Sequence, residues 1–200
     1  LIQEMDLDLQ NKTIRAKVSL AGVPGSGKLQ ILQDCVSRLS AGGPVLAKIG
    51  DAKVWQASFH WDNSPLKSWA LQVDVYTTQD EIPFSAVHEI ILGDADAAIF
   101  VVPAETFRSK EARDSLFHFG SIMARHGRGL TDIPLVMHYH QVERNPRFDA
   151  EILSDFLGVP RGLVPYAVTR SDDGSSLTGS LSLMVQQIVE RAKAELAAVK

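Results

Sequence analysis

Gly22-Val23-Pro24-Gly25-Ser26-Gly27-Lys28 is the stretch on which the reading of this chain turns. Its spacing is G-x-x-x-x-G-K, that of a Walker A phosphate-binding loop. Glycines let the backbone take the φ angles that aim successive N–H groups at one anion. A helix beginning at the lysine adds the positive end of its dipole, and Lys28 adds a full charge. Gly22, Gly25, Ser26, Gly27 and Lys28 are therefore the expected phosphate ligands. The next position departs from the pattern. Where a Ser or Thr hydroxyl normally ligates Mg²⁺, Leu29 has no polar atom. Phosphate binding is expected, whereas Mg²⁺-dependent hydrolysis lacks a ligand that it needs. The bland alternative is a glycine-rich strand–helix turn that binds nothing.

The flanking sequence supplies the context such a loop requires. Upstream, Ile2–Gln10 alternates apolar and polar residues, Asn11-Lys12 offers a turn, and Thr13–Ala21 reads as a strand; the two are expected to form an antiparallel hairpin on the edge of a sheet. Downstream, Leu29, Leu32, Val36 and Leu39 mark one face of a helix from Lys28 to Ser40. Ala41–Lys53 reads as a long connection. Val54–Trp61 and Ala70–Thr77 are strands whose short link implies an antiparallel pair. The strand Ala97–Val102 is continuously apolar, as expected of one buried on both faces. Pro134–His140 and Leu163–Val168 read as further strands. Helices are expected at Phe84–Leu92, at Phe107–Arg125 (with Ala112, Leu116, Phe119 and Met123 inward) and at Phe148–Phe156. A last helix carries Leu181, Val185, Ile188, Ala192 and Leu196. Strands alternating with helices predict a mostly parallel α/β sheet with one antiparallel strand, an extra N-terminal edge strand and helices on both faces.

Length and composition are those of one ordinary globular domain spanning residues 1–200: 45% of residues are hydrophobic and 22% charged. A net charge of −4 with scattered Lys and Arg argues against a nucleic-acid partner. The single cysteine, Cys35, forms no internal disulfide, which favours a reducing, cytoplasmic setting. No apolar run is long enough for a membrane helix. Leu1 rather than Met opens the chain, as in a piece of a longer protein.

The P-loop, the added N-terminal strand and the element order together resemble those of bacterial MglA-type small GTPases, the Ras-like proteins of cell polarity and gliding motility. The resemblance spans most of the chain and is divergent. It implies a Ras-like P-loop NTPase fold, GTP and GDP as ligands, and a roadblock-type protein partner. In that family the strand after the antiparallel turn ends in a Tyr-Thr-x-Pro-Gly-Gln motif; this chain has Tyr76-Thr77-Thr78-Gln79-Asp80-Glu81. Thr77, Asp80 and Glu81 then occupy the switch region, with a carboxylate at Asp80 where a glycine N–H would meet the γ-phosphate, and Glu81 in place of a water-orienting Gln. The guanine-selecting Asn-Lys-x-Asp corresponds to His140-Gln141-Val142-Glu143, which retains only a carboxylate. Glu143, Thr169 and Arg170 are the implied base-pocket residues. No threonine lies between Lys28 and Tyr76 to serve as the switch threonine. One motif is nearly whole and four are eroded, so the implied protein is a slow, atypical GTPase or a pseudo-GTPase.

Other patterns carry less. His138 and His140 share one face of a strand, with Glu143 near; a metal site is one reading and a polar strand end the commoner one. Asp172-Asp173-Gly174-Ser175 reads as a turn. Trp55, Trp61 and Trp69 serve either the core or a partner-binding face. Two alternatives to a nucleotide-binding switch stand: an interaction scaffold with an empty pocket, and a P-loop kinase, which the antiparallel pair disfavours.

Overall fold

The computed structural model describes residues 5–38, 46–49, 54–61, 66, 68–78, 86–105, 108–170 and 177–198, with side chains for all of these but 46, 47, 49, 86–88 and 198. In chain order the elements are β1 (Asp6–Asp8), β2 (Thr13–Gly22), α1 (Lys28–Arg38), β3 (Leu46–Ile49), β4 (Val54–Trp61), β5 (Ala70–Thr78), α2 (Ala86–Gly93), β6 (Ala97–Pro103), α3 (Ser109–Arg125), β7 (Leu135–His140), α4 (Ala150–Leu157), β8 (Tyr166–Val168) and α5 (Thr178–Ala198). The strands form one mixed sheet in the order β3-β4-β5-β2-β6-β7-β8, with β1 attached to β2. Strands β5, β2, β6, β7 and β8 run parallel to one another. β4 is antiparallel to β3 and β5.

Period-two alternation splits the core into two layers. In β6, Ala97, Ile99 and Val101 join Ile31, Leu32 and Cys35 of α1 and Leu181, Met184, Ile188 and Ala192 of α5. Ala98, Phe100 and Val102 face the other way, onto Leu92 of α2, Ala112, Leu116, Phe119 and Met123 of α3, and Leu157 of α4. Both faces are thus covered by helices, and β6 is buried at every position. Among the described residues, no helix is long and apolar enough to cross a membrane.

Four expectations need correction. The β1–β2 hairpin is antiparallel, but β2 is not at the edge. Thr13–Ser19 pair with β5, and only Val18–Gly22 pair with β6. β1 lies beside residues 13–15, ahead of where β6 begins. Second, Leu46–Ile49 within the expected connection is a strand, pairing with Val54–Ala57; its glycine-rich flanks obscured four residues with too little alternation to register. Third, the inward face of α1 is Lys28, Ile31, Leu32 and Cys35, so Leu29 is only half-buried. The apolar spacing misplaced the stripe because the lysine itself is turned inward. Last, β8 is confined to Tyr166–Val168, since Pro165 has no N–H for a ladder. The α4 helix starts at Ala150, where the Asp149 carboxylate accepts the N–H groups of Glu151 and Ile152.

Candidate phosphate-binding site

The Gly22–Lys28 loop, Thr77, Glu143, Thr169 and Arg170 lie at the carboxyl ends of the parallel strands, where open α/β sheets bind ligands. The crossover from β2 runs through α1 on one face, and that from β6 runs through α3 on the other. The loops after these adjacent strands therefore diverge. The Gly22–Lys28 loop stands at that fork.

Its first residue is dictated by packing. Gly22 has φ +148°, and a Cβ there would sit 2.3 Å from the carbonyl oxygen of Val101 on β6. Val23 N–H then donates to the same carbonyl at 3.4 Å. Gly25 and Gly27 both lie in the left-handed region, at φ +68° and +75°, which is the glycine-dependent geometry the sequence anticipates. The turn is closed by the Ser26 N–H donating to Val23 O at 3.1 Å, and α1 begins with Ile31 N–H donating to Gly27 O at 2.9 Å. Lys28 is 3% exposed and its ammonium donates to Val23 O at 3.0 Å. The cation is thus folded back over the loop rather than extended into solvent. Ser26 is buried, and its hydroxyl has no hydrogen-bond partner among the described residues, an unusual cost for a polar group. Leu29 presents only carbon to the position where a metal-ligating hydroxyl belongs.

Thr77 is buried at the end of β5, and its hydroxyl donates to Leu20 O at 3.2 Å, tying β5 to β2. That proton is committed within the sheet. Asp80 and Glu81 lie outside the described residues, as does Asp172–Ser175. After β7, Gln141 adopts a left-handed conformation (φ +56°) and Val142–Arg144 form a single 3₁₀ turn. This turn places Glu143, half-buried, near His140. Thr169 is buried at the end of β8; its N–H donates to Tyr139 O at 2.9 Å, and its carbonyl accepts from Val142 N–H at 3.2 Å. Arg170, next to it, is exposed.

The two histidines are engaged in a chain of hydrogen bonds. His138 Nδ1 pairs with Ser180 Oγ at 2.8 Å and its Nε2 with Thr169 Oγ1 at 3.1 Å. Thr169 Oγ1 also meets His140 Nδ1 at 3.0 Å. With both of its nitrogens occupied, His138 does not suit a metal ligand, and no cluster of metal-ligating side chains occurs among the described residues. Burial, reinforced by neighbouring His140, pushes the His138 imidazole down to about 3. Burial also holds His140 below its ordinary value, against the opposing pull of the Glu143 carboxylate.

Side chains lace these loops into one rim. Arg108, at the start of α3, donates to Pro24 O at 2.5 Å and to Gly25 O at 3.4 Å. Ala104 N–H donates to His140 O at 2.9 Å, and Asn145 Nδ2 returns to Ala104 O at 2.9 Å. Arg144 pairs with Glu105 at 3.0 Å. The rim thus runs from the Gly22–Lys28 loop through Arg108 and Ala104 to Asn145, Val142 and Thr169. Neither Arg108 nor Asn145 belongs to a motif. The available cue was positional, since both follow a parallel strand at its carboxyl end.

A cavity of about 1040 Å³ lies elsewhere, lined by Leu116, Phe117, Leu130, Phe156 and Leu163 among others. Its walls are largely apolar. Of its arginines, Arg113 stacks over Phe156, 4.9 Å from the ring centre, and Arg191 pairs with Glu195 at 2.9 Å. It suits a phosphate poorly. The tryptophans fall between the two expectations: Trp55, Trp61 and Trp69 are half-buried, with Trp61 and Trp69 packed against the core. No protein-family model matches the chain, and no curated protein matches it either.

Proposed function

We propose that the chain is a Ras-like P-loop regulatory protein, of the MglA type it resembles, that binds a guanine nucleotide, hydrolyses it weakly or not at all, and acts through protein partners. The observation that carries the reading is the loop Gly22–Lys28. It has left-handed glycines, a buried lysine folded over it, a buried hydroxyl at Ser26 without a partner among the described residues, and a helix starting at its end. Those features converge donors and positive charge on one small volume at the fork of the sheet.

The base would lie against the turn after β7 and the end of β8, with Glu143 accepting from guanine and Thr169 and Arg170 bordering it. Weak hydrolysis follows from Leu29 and from the committed hydroxyl of Thr77; by the resemblance, a carboxylate at Asp80 would in addition repel a γ-phosphate. Partner binding rests on the resemblance and on the half-buried tryptophans of β4. The residues do not fit Mg²⁺, because the position that should supply its hydroxyl supplies carbon.

A specific observation favours a second reading, a scaffold that binds no nucleotide. Val23 O already takes both the Lys28 ammonium and the Ser26 N–H, so the loop partly satisfies itself. Isothermal titration with GTP, GDP and ATP separates the readings. Heat with GTP and GDP, abolished by Lys28→Ala in a variant that still melts cooperatively, is the expected result. Silence for all three nucleotides refutes the proposal in favour of the scaffold. Heat with ATP alone points instead to a P-loop kinase.

A further inference from the structure

We infer that a buried run of hydrogen bonds, Ser180–His138–Thr169, fixes His140 as an imidazole carrying its proton on Nε2, and that this N–H reads the acceptor edge, O6 and N7, of the guanine base. The choice of ligand rests on the nucleotide reading above; the position of the proton does not.

The direction of the run is set at Ser180. This residue is fully buried, and among the described residues its hydroxyl meets one polar atom, His138 Nδ1, at 2.8 Å. A buried hydroxyl hydrogen without an acceptor carries the whole desolvation penalty of that group, so Ser180 donates. A neutral imidazole has one N–H and one bare nitrogen. With Nδ1 accepting, His138 holds its proton on Nε2 and donates it to Thr169 Oγ1 at 3.1 Å. Thr169, also buried, then has its own proton to place. His140 Nδ1 lies 3.0 Å away. The other acceptor, Tyr139 O, is 3.4 Å away and already takes Thr169 N–H at 2.9 Å. The nearer nitrogen takes the proton, which leaves the hydrogen of His140 on Nε2; the bond at one ring nitrogen decides the state of the other. Burial holds both rings below the ordinary imidazole range, so neither takes up a second proton at pH 7.

His140 also stands where a base would reach. His138 and His140 pair with Val101 and Pro103 of β6, and Val101 belongs to the core layer under α1 and α5. By alternation both imidazoles lie on that face, the one along which α1 leaves the Gly22–Lys28 loop. β7 is two strands from β2, roughly 10 Å to the side. The carboxylates of Asp34 on α1 and of Glu143 both bear on the His140 ring, opposed by Arg144. His140 is therefore between α1 and the turn after β7, and among the described residues its ring bonds only through Nδ1. An N–H beside a carboxylate complements guanine, whose O6 and N7 both accept; adenine turns an amino group where guanine has O6.

The test has two parts, both on the full chain. ¹⁵N NMR of labelled protein at pH 7 reads which ring nitrogen of each histidine bears the proton, with His138→Gln and His140→Gln assigning the two signals. Nε2–H is expected for both, and Nδ1–H at either overturns the proposal whatever the protein binds. The second part is titration of the unmodified protein and of His140→Phe, each checked for cooperative melting. The ligands are GDP, 7-deaza-GDP, which lacks N7, and the diphosphate of 2-aminopurine riboside, which lacks O6. His140→Phe should weaken GDP by about 3- to 10-fold, the range of one neutral hydrogen bond, and His140→Gln, which keeps a donor, should recover part of the loss. The penalty should vanish with the analogue that lacks the acceptor His140 meets. An equal penalty with all three ligands, as from a ring that only packs, overturns the proposal, and so does no penalty with GDP. If the unmodified protein binds no GDP while both histidines carry Nε2–H, the nucleotide reading falls and the ligand named here falls with it; the other outcomes overturn this inference alone.

Discussion

Replacing His138 by glutamine should flatten the loss of stability in acid. The side chain is fully buried, and burial, then the neighbouring His140, pushes it from an ordinary 6.5 down to about 3. The folded protein therefore keeps this imidazole neutral throughout the mildly acidic range, while the unfolded chain takes up a proton below pH 6.5. His138 contributes its stability fully above that value, and the contribution is lost progressively as pH falls toward 3. Each pH unit inside the window is worth about 1.4 kcal/mol, so going from pH 7 to pH 5 removes about 2 kcal/mol. That is a large part of a stability of about 5–15 kcal/mol. Glutamine cannot take up the proton, yet it can still reach Ser180 or Thr169. Urea unfolding at pH 7 and pH 5, for both proteins, gives the comparison. The unmodified protein should lose about 2 kcal/mol more than His138→Gln over that interval. His140 and the carboxylates titrate in both proteins and largely cancel. Parallel losses would refute the assignment of a neutral, buried His138.

Two further changes test the frame of the site. Gly22→Ala places a Cβ 2.3 Å from Val101 O, against backbone that cannot yield without unpairing β6; a loss of about 3 kcal/mol or more is expected in urea unfolding. Asp149→Ala removes the cap that accepts from Glu151 and Ile152 N–H at 2.9 and 3.0 Å, and should lower stability by about 1 kcal/mol without altering nucleotide titration.

Much of the architecture was legible because its signals are local. The uninterrupted apolar run of β6 foretold a strand covered on both faces, and the stripe Ala112, Leu116, Phe119, Met123 of α3 is buried as its spacing implied. Gly22, Gly25 and Gly27 occupy the positive φ values that their spacing requires. What failed to show depends on partners distant in the chain. Nothing in Thr13–Ala21 distinguishes an edge strand from a central one; that follows from pairing with residues 70–76 and 97–101. Strand β3 is too short to show alternation. The inward turn of Lys28 shifted the α1 stripe, because a charged residue at a buried position is invisible to a hydrophobicity pattern. Arg108 reads in sequence as an ordinary helix-start charge, and its bond to the Gly22–Lys28 loop emerges only across 84 residues. Likewise, Thr169 could be placed near a pocket by resemblance, but its hydroxyl bonds to both histidines could not.

The central place of β2 bears on how the chain comes off the ribosome. Leu20 waits for a partner hydroxyl 57 residues downstream, and Lys17 N–H for the Asp96 carboxylate 79 residues downstream. At about 5–20 residues per second, translation leaves this ribbon without its neighbours for several seconds. During that interval Ile14, Val18 and Leu20 are bare, and the nascent chain is most dependent on whatever shields apolar segments at the exit tunnel.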